Sequence, residues 1–406
     1  MVDTIERAIH PFSVTAFFFG PGIFRYPLHN SRPYFNFCYT LSLWSVYVYG
    51  LYKVVNFWPK IFSEFLIFFT LAMSFIVTMI SIIITIRKQK NFHICIRKLV
   101  LVDDTLEKLG TPKEYHKIRN SVKQMLIIWF MMICVTLTSD SLFCIEVLKD
   151  KKAMLIPVVM NYCLYINTFM DIIFVLLLRY IGTRFNKINK HISRLSETEE
   201  YGMRCTWKKS LVTRHVRSTE NCKHVVWIAM HLHSELRQIA RDINSLFGIQ
   251  MSLQMISYFV IIIGTCQFTI FYFIIHLHDV VTVKLLFYAN VWLIVYLTRL
   301  ILLNHTCENV SAKAQETRIV LHNLITFNRF AKMREQILQF VLQISLRPLQ
   351  LSGMGMFHFG YKFIYKFFLW VITTIIFLLQ VDTSPIIRTL LSEGNNMTYT
   401  INRKEM

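Results

Sequence analysis

Charge is scarce in this sequence: Asp, Glu, Lys and Arg make up 17% of its 406 residues, where soluble domains carry about a quarter. Acids are the scarcer sign, 24 against 44 bases, which leaves a formal net charge of +20. The hydrophobic residues, 54% of the chain, lie in blocks of roughly twenty or more, long enough to cross a hydrocarbon core of about 30 Å. A single soluble core is thereby excluded. The spacings that catalysis needs are absent too. No Gly-rich phosphate loop, nucleophile elbow or His-Glu-x-x-His occurs, so nothing points to an enzyme. His215, His224, His231 and His233 cluster without Cys or carboxylate partners at metal spacing. His231 and His233 also diverge on a helix. They are expected to be packing or surface histidines, and no metal or other cofactor is implied. The nine cysteines form no disulfide framework. Cys38, Cys134, Cys144, Cys163 and Cys266 lie inside apolar blocks and are expected to be small buried thiols. The N-terminal MVDTIERAIHPFSVT carries acids and lacks an apolar core before a small-residue cleavage site. The first span is therefore expected to serve as the signal. No internal repeat is visible, which weakens an inverted-repeat transporter.

What is present is a set of spans. Seven blocks qualify: 34–56, 61–86, 124–148, 153–182, 249–275, 283–304 and 361–381, the first of them rich in Tyr and Ser. A basic balance often means nucleic acid, but here the bases fall between the blocks and so report topology. Lys and Arg are enriched in cytoplasmic loops. Residues 87–123 alone hold ten of them, more than all the connections on the opposite side together. The expected fold class is an all-α polytopic membrane protein of seven transmembrane helices. Its N-terminus is cytoplasmic, its C-terminus extracellular, and long helical extensions reach into the cytoplasm. The expected organisation is a cytoplasmic segment 1–33 and a six-helix bundle 34–304 with cytoplasmic loops 87–123 and 183–248. A cytoplasmic helical region 305–360, a seventh helix 361–381 and an extracellular tail 382–406 follow. This orientation is the reverse of a G-protein-coupled receptor. It puts the sequon at Asn396 outside, and those at Asn304 and Asn309 inside and silent. In 305–357, Val310, Ala314, Thr317, Leu321, Leu324 and Ile325 recur at helical spacing, as do Met333, Ile337, Val341 and Ile344. Helices that pack beneath the membrane explain this, and so does an amphipathic helix lying on the bilayer.

Polar groups at membrane depth are expensive and usually face protein or water. The outer halves of the spans offer Glu64 in span two, Asp140 in span three, and Asn161 and Tyr165 in span four. Spans five and six add Gln267, Tyr272, Tyr288, Asn290 and Trp292. Aromatic walls with a few polar groups describe a small-molecule pocket. For any one of these residues, helix–helix hydrogen bonding or an interfacial aromatic belt is the plainer account. For Asp140 a pocket is favoured, because a carboxylate needs water, a ligand or a cation beside it. Asp171 and Arg299 fall toward the inner ends of spans four and six, where pairing with each other would be structural.

The last span reads Thr373-Thr374-Ile375-Ile376-Phe377-Leu378-Leu379-Gln380-Val381. It resembles the C-terminal signature of the insect gustatory receptor family: Thr-Tyr, a hydrophobic stretch, then Gln-Phe. Thr373 and Gln380 match, while Thr374 and Val381 replace the family's Tyr and Phe. Upstream, Gly355-Met356-Phe357 is similar to the family's small-residue segment before the seventh span. Span count, inside N-terminus and long inner loops fit as well. The resemblance implies a tastant-gated, non-selective cation channel that mediates taste. It would be a homotetramer, or a heteromer with related subunits, in the plasma membrane of a sensory neuron dendrite. Its partners would be a small-molecule tastant and membrane lipid, with no nucleic acid. Thr373, Ile376, Phe377, Gln380 and Asp382 would line the pore, the cytoplasmic helices would join the subunits, and spans one to six would hold the tastant.

Residues seven apart drift only about 20° around a helix. Thr373, Gln380 and Lys366 therefore share a face, with Ile376 and Phe377 between them, as a wet pore with a hydrophobic gate requires. The alternative is that Thr373 bonds back to its own helix and Gln380 sits at the outer interface. Asp382 would draw cations to the outer mouth, and Lys366 is expected to snorkel away from the path. The sequence shows no dense cluster of carboxylates and amides suited to sugar hydroxyls. That points to a mostly apolar, plant-type bitter compound. The rivals are an insect odorant receptor subunit, which shares size and topology, and a metabotropic seven-helix receptor, which needs the opposite orientation.

Overall fold

The computed structural model describes residues 5–19, 33–57, 65–205, 212–275, 280–326, 331 and 333–383. In order the elements are α1 (Ile5–Phe19), α2 (Pro33–Phe57), α3 (Phe65–Lys108), α4 (Tyr115–Leu148), a 3-10 helix (Lys151–Leu155) and α5 (Ile156–Met160). There follow α6 (Tyr162–Cys205), α7 (Val212–Ile275), α8 (Val280–Ile325), α9 (Arg334–Leu346), the two-residue strands β1 (Ser352–Gly353) and β2 (Phe357–His358), and α10 (Tyr361–Thr383). Helices dominate because hydrocarbon offers no partner to an open backbone N–H or C=O. Six of them (α3, α4, α6, α7, α8 and α10) contain stretches long and apolar enough to cross a membrane. The seventh, α2, has the length, but its Tyr, Ser and Asn residues lower its hydropathy.

The spans continue well past the bilayer as single helices. The 44 residues of α3 reach about 66 Å at about 1.5 Å per residue, twice the thickness of a hydrocarbon core. What the sequence suggested as an inner loop, 87–123, is thus the end of α3, a turn at Gly110 (φ 90°) and the start of α4. The extensions of α6, α7 and α8 pack with α9, continuing the core of the bundle below the membrane. There Val310, Ala314, Thr317, Leu321 and Leu324 of α8 and Ile337 and Ile344 of α9 are buried. His233 is buried there as well, its Nε2 bonded to the Ala314 carbonyl at 3.1 Å, between the rings of Phe185 and Phe340. His231 instead stacks on Trp227 at the surface.

Three expectations need correction. The block 153–182 is not one span: Pro157 opens the short α5, the chain breaks at Asn161, and only then does α6 begin. The apolar-block cysteines are not uniformly buried, since Cys38 and Cys134 are exposed on their helices while Cys144 and Cys163 are buried. The N-terminal segment also contains a helix that packs into the bundle. Ile5, Ala8, Phe12 and Ala16 of α1 form its buried stripe, with Phe12 against Phe169 (5.6 Å between centroids) and Phe19 against Trp129 (5.0 Å). At the centre is α6, whose most apolar stretch is 89% buried; that of α10 is 11% buried.

Candidate functional site

The site begins with the reversal after α4. Lys149 adopts a left-handed conformation (φ 51°) and its N–H bonds to the Ile145 carbonyl, ending the helix. Asp150 then caps the 3-10 helix by accepting the Lys152 N–H at 2.9 Å. Pro157 starts α5, and the break at Asn161 turns its amide back toward α4. There Asn161 Nδ2 donates to Asp140 Oδ2 at 2.6 Å, and from α8 Trp292 Nε1 donates to Asp140 Oδ1 at 2.8 Å. Three of the residues chosen from sequence therefore meet. Each carboxylate oxygen thus accepts from one neutral donor and keeps a further lone pair.

The remaining expected residues divide. Tyr165 shares a hydrogen bond with Thr136 of α4 at 3.0 Å, and Tyr288 packs edge-on against Phe143 at 5.6 Å. Asn290 donates to the Leu286 carbonyl of its own helix at 2.7 Å. Gln267 is half-buried on α7. Glu64 and the side chain of Tyr272 lie outside the described residues.

Deeper in the bundle an aromatic ladder leads inward from Trp292 to Tyr296 (6.1 Å) and on to Tyr258 (5.5 Å). It ends at the ion pair that the sequence suggested. Arg299 Nη2 and Nε donate to Asp171 Oδ2 at 2.6 and 2.9 Å, and the Tyr258 hydroxyl donates to the same oxygen at 3.0 Å. The Arg299 guanidinium also lies 5.0 Å from the Tyr258 ring centre, a cation–π arrangement. Beside the pair is a small cleft lined by Ser74, Asn167, Gln254, Tyr258, Tyr296 and Arg299. Asn167 is held by donating to the Ser74 carbonyl at 3.0 Å and accepting from Thr78 at 3.1 Å. The Tyr296 hydroxyl and Arg299 Nη1 are buried without a protein partner, so the cleft presents unmet donors between aromatic walls. The sequence reading offered the Asp171–Arg299 pair as structural but did not include Asn167, Gln254, Tyr258 or Tyr296 around it. The available signal was a set of polar residues on four spans at similar depth.

The last helix divides into two faces. Phe367 and Val371 are buried, and Phe363, Ile375 and Leu378 pack partly against the bundle. Lys366, Thr373, Ile376, Phe377 and Gln380 all lie on the exposed side. Thr373 and Thr374 bond back to the carbonyls of Leu369 and Trp370 at 2.9 and 2.8 Å, while the Asp382 side chain lies outside the described residues. The helix is hinged to α8. Gly360 N–H donates to Asn304 Oδ1 at 3.0 Å, and His305 Nδ1 bonds the Tyr361 hydroxyl at 2.6 Å.

No curated protein matches this sequence. Among solved structures, the insect olfactory receptor OR5 from Machilis hrabei is similar in fold. Its TM-score is 0.59 at 14% identity, covering 92% of this chain and 97% of that one. The same receptor in complex with eugenol gives a TM-score of 0.64 at 15% identity with the same coverage. In sequence, residues 31–384 match the 7tm chemosensory receptor family. Because that match runs from just before α2 to the end of α10, the chain belongs to the 7tm chemosensory receptor family.

Proposed function

We propose that this chain is a subunit of a ligand-gated, non-selective cation channel that responds to a small tastant. It would act at the plasma membrane of a sensory dendrite, as a homotetramer or with related subunits. The observation that carries the reading is the two-faced last helix. One side is seated on the bundle while Thr373, Ile376, Phe377 and Gln380 are left on the other. A polar–apolar–polar stripe on a peripheral helix suits a shared pore with a hydrophobic constriction. Thr373 serves that role although it bonds its own backbone, because its hydroxyl oxygen keeps lone pairs for water or a cation.

The ligand would enter the outer half of the bundle, past Asp140, Asn161 and Trp292, toward the cleft at Tyr296. Aromatic walls with few polar groups favour a mostly apolar, bitter-type compound over a sugar. The complex of the similar olfactory receptor with eugenol is consistent with a small ligand of that size. An odorant receptor subunit is the second reading, favoured by the same structural likeness. Thr373, Gln380 and the 355–357 segment favour the gustatory one.

The test is expression of the chain, alone and with a co-receptor, followed by calcium imaging against tastant and odorant panels. A tastant response is expected, together with currents in excised patches without GTP. Responses to volatile odorants only would move the chain to the odorant reading. A GTP requirement would remove the channel. Tyr296→Phe should raise the half-maximal agonist concentration roughly five- to tenfold, the cost of about one hydrogen bond.

A further inference from the structure

After Ile86, α3 leaves the apolar span, and residues 87–98 carry five bases and no acid. Between this stretch and the inner end of α7 lies a small half-open cleft of about 30 Å³. Lys88, Gln89 and Phe92 line it from α3, and Leu246, Phe247 and Gln250 from α7. Gln250 is 2% exposed, and the Nε2 groups of Gln89 and Gln250 are both buried without a hydrogen-bond partner. Lys88 Nζ donates to the Ser245 carbonyl at 2.9 Å and stands 3.4 Å from its hydroxyl, which leaves part of its three-donor capacity free. The cleft thus offers an ammonium and two unmet amide donors, with no carboxylate in its lining.

An apolar occupant would leave those donors unsatisfied, and a cation would be repelled. The complementary group is a compact anion rich in acceptors and attached to apolar matter. It must fit beside Phe92 and Phe247, with Ile84 on the same lining. The positive-inside orientation places the cleft at the cytoplasmic leaflet, which carries the anionic lipids. There each nearby base contributes about 1 kcal/mol of attraction. We propose that the cleft between α3 and α7 binds the phosphate of an anionic inner-leaflet phospholipid. The headgroup accepts from Lys88, Gln89 and Gln250, its acyl chains leave the cleft past Ile84, and its occupancy ties α3 to α7.

The full chain, purified in detergent and placed in nanodiscs, would be titrated with a phosphoinositide bisphosphate, with phosphatidylcholine and with the free inositol phosphate headgroup. Retained lipid would be read by native mass spectrometry. The phosphoinositide should be enriched over phosphatidylcholine, and Gln89→Leu/Gln250→Leu should reduce that enrichment by roughly tenfold or more for each hydrogen bond to a charged group that is lost. Equal retention of both lipids, or unchanged enrichment in the variant, overturns the proposal. Tight binding of the free headgroup overturns the lipid source in favour of a soluble phosphate. Because a double core variant can misfold, a photoactivatable phosphoinositide applied to the wild-type chain supplies a second measurement. Cross-links to 81–92 or 245–250 are expected, and cross-links confined elsewhere sink the site.

Discussion

Asp171 and Arg299 face each other where no water reaches them in bulk, and one buried charge without the other is untenable. Breaking a buried pair from one side costs about 3–5 kcal/mol, whereas replacing both partners with apolar residues of similar volume is often near neutral. Arg299→Met should therefore lower the thermal midpoint of the purified protein strongly, while Asp171→Leu/Arg299→Met should restore most of it. A double variant as unstable as the single would assign the stabilisation to the aromatic and amide contacts instead. Asp140 follows the same logic with neutral partners. Asp140→Leu orphans the amide of Asn161 and the indole N–H of Trp292, at about 1–3 kcal/mol for each buried donor. Asp140→Asn retains one acceptor and should be the milder change in the same melting assay.

At the scale of elements, the junction of α8 and α10 has little tolerance. Gly360 holds φ at 147°, where an L side chain is strained, and a Cβ there would also displace the flexible carboxylate end of Glu308. Gly360→Ala should reduce surface expression and thermal stability. Adding Glu308→Ala should recover only part of the loss, because it relieves the clash but leaves about 1–3 kcal/mol of backbone strain. Full recovery would show that the clash alone matters. Along α10 itself, Lys366→Glu is expected to leave conductance and selectivity unchanged, and Asp382→Lys to lower cation conductance, both read in single-channel recordings. A selectivity change in Lys366→Glu would put that residue on the conduction path.

At the scale of the whole molecule, burial is uneven. The most apolar stretch of α6 is 89% buried while that of α10 is 11% buried, although their hydropathies are similar. Trp370, Ile372, Ile376 and Phe377 are all exposed on α10, and what covers them is either lipid or other copies of the chain. If copies meet there, Ile376→Cys should form intersubunit disulfides under mild oxidation, and cross-linking of solubilised protein should stop at four subunits. A monomer throughout would remove the shared pore.

The sequence by itself determined the class, the spans and the cytoplasmic packing stripes. Each follows from local quantities: the length of an apolar run, the asymmetry of its flanking bases, and a period of 3.6 residues. It also supplied Asp140, Asn161 and Trp292 as candidates, and the Asp171–Arg299 pair, because charge and amide at membrane depth are rare enough to stand out. Only the tertiary structure decided that Asn161 marks a break between helices, that Asn161 and Trp292 both donate to Asp140, and that a further polar cleft sits deeper, at Tyr296 and Arg299. Those outcomes depend on which helices are neighbours and on their rotation about their axes. An apolar sequence leaves both open, because lipid and protein interiors are equally good solvents for Leu and Ile. Side-chain packing and the few hydrogen bonds between helices settle them.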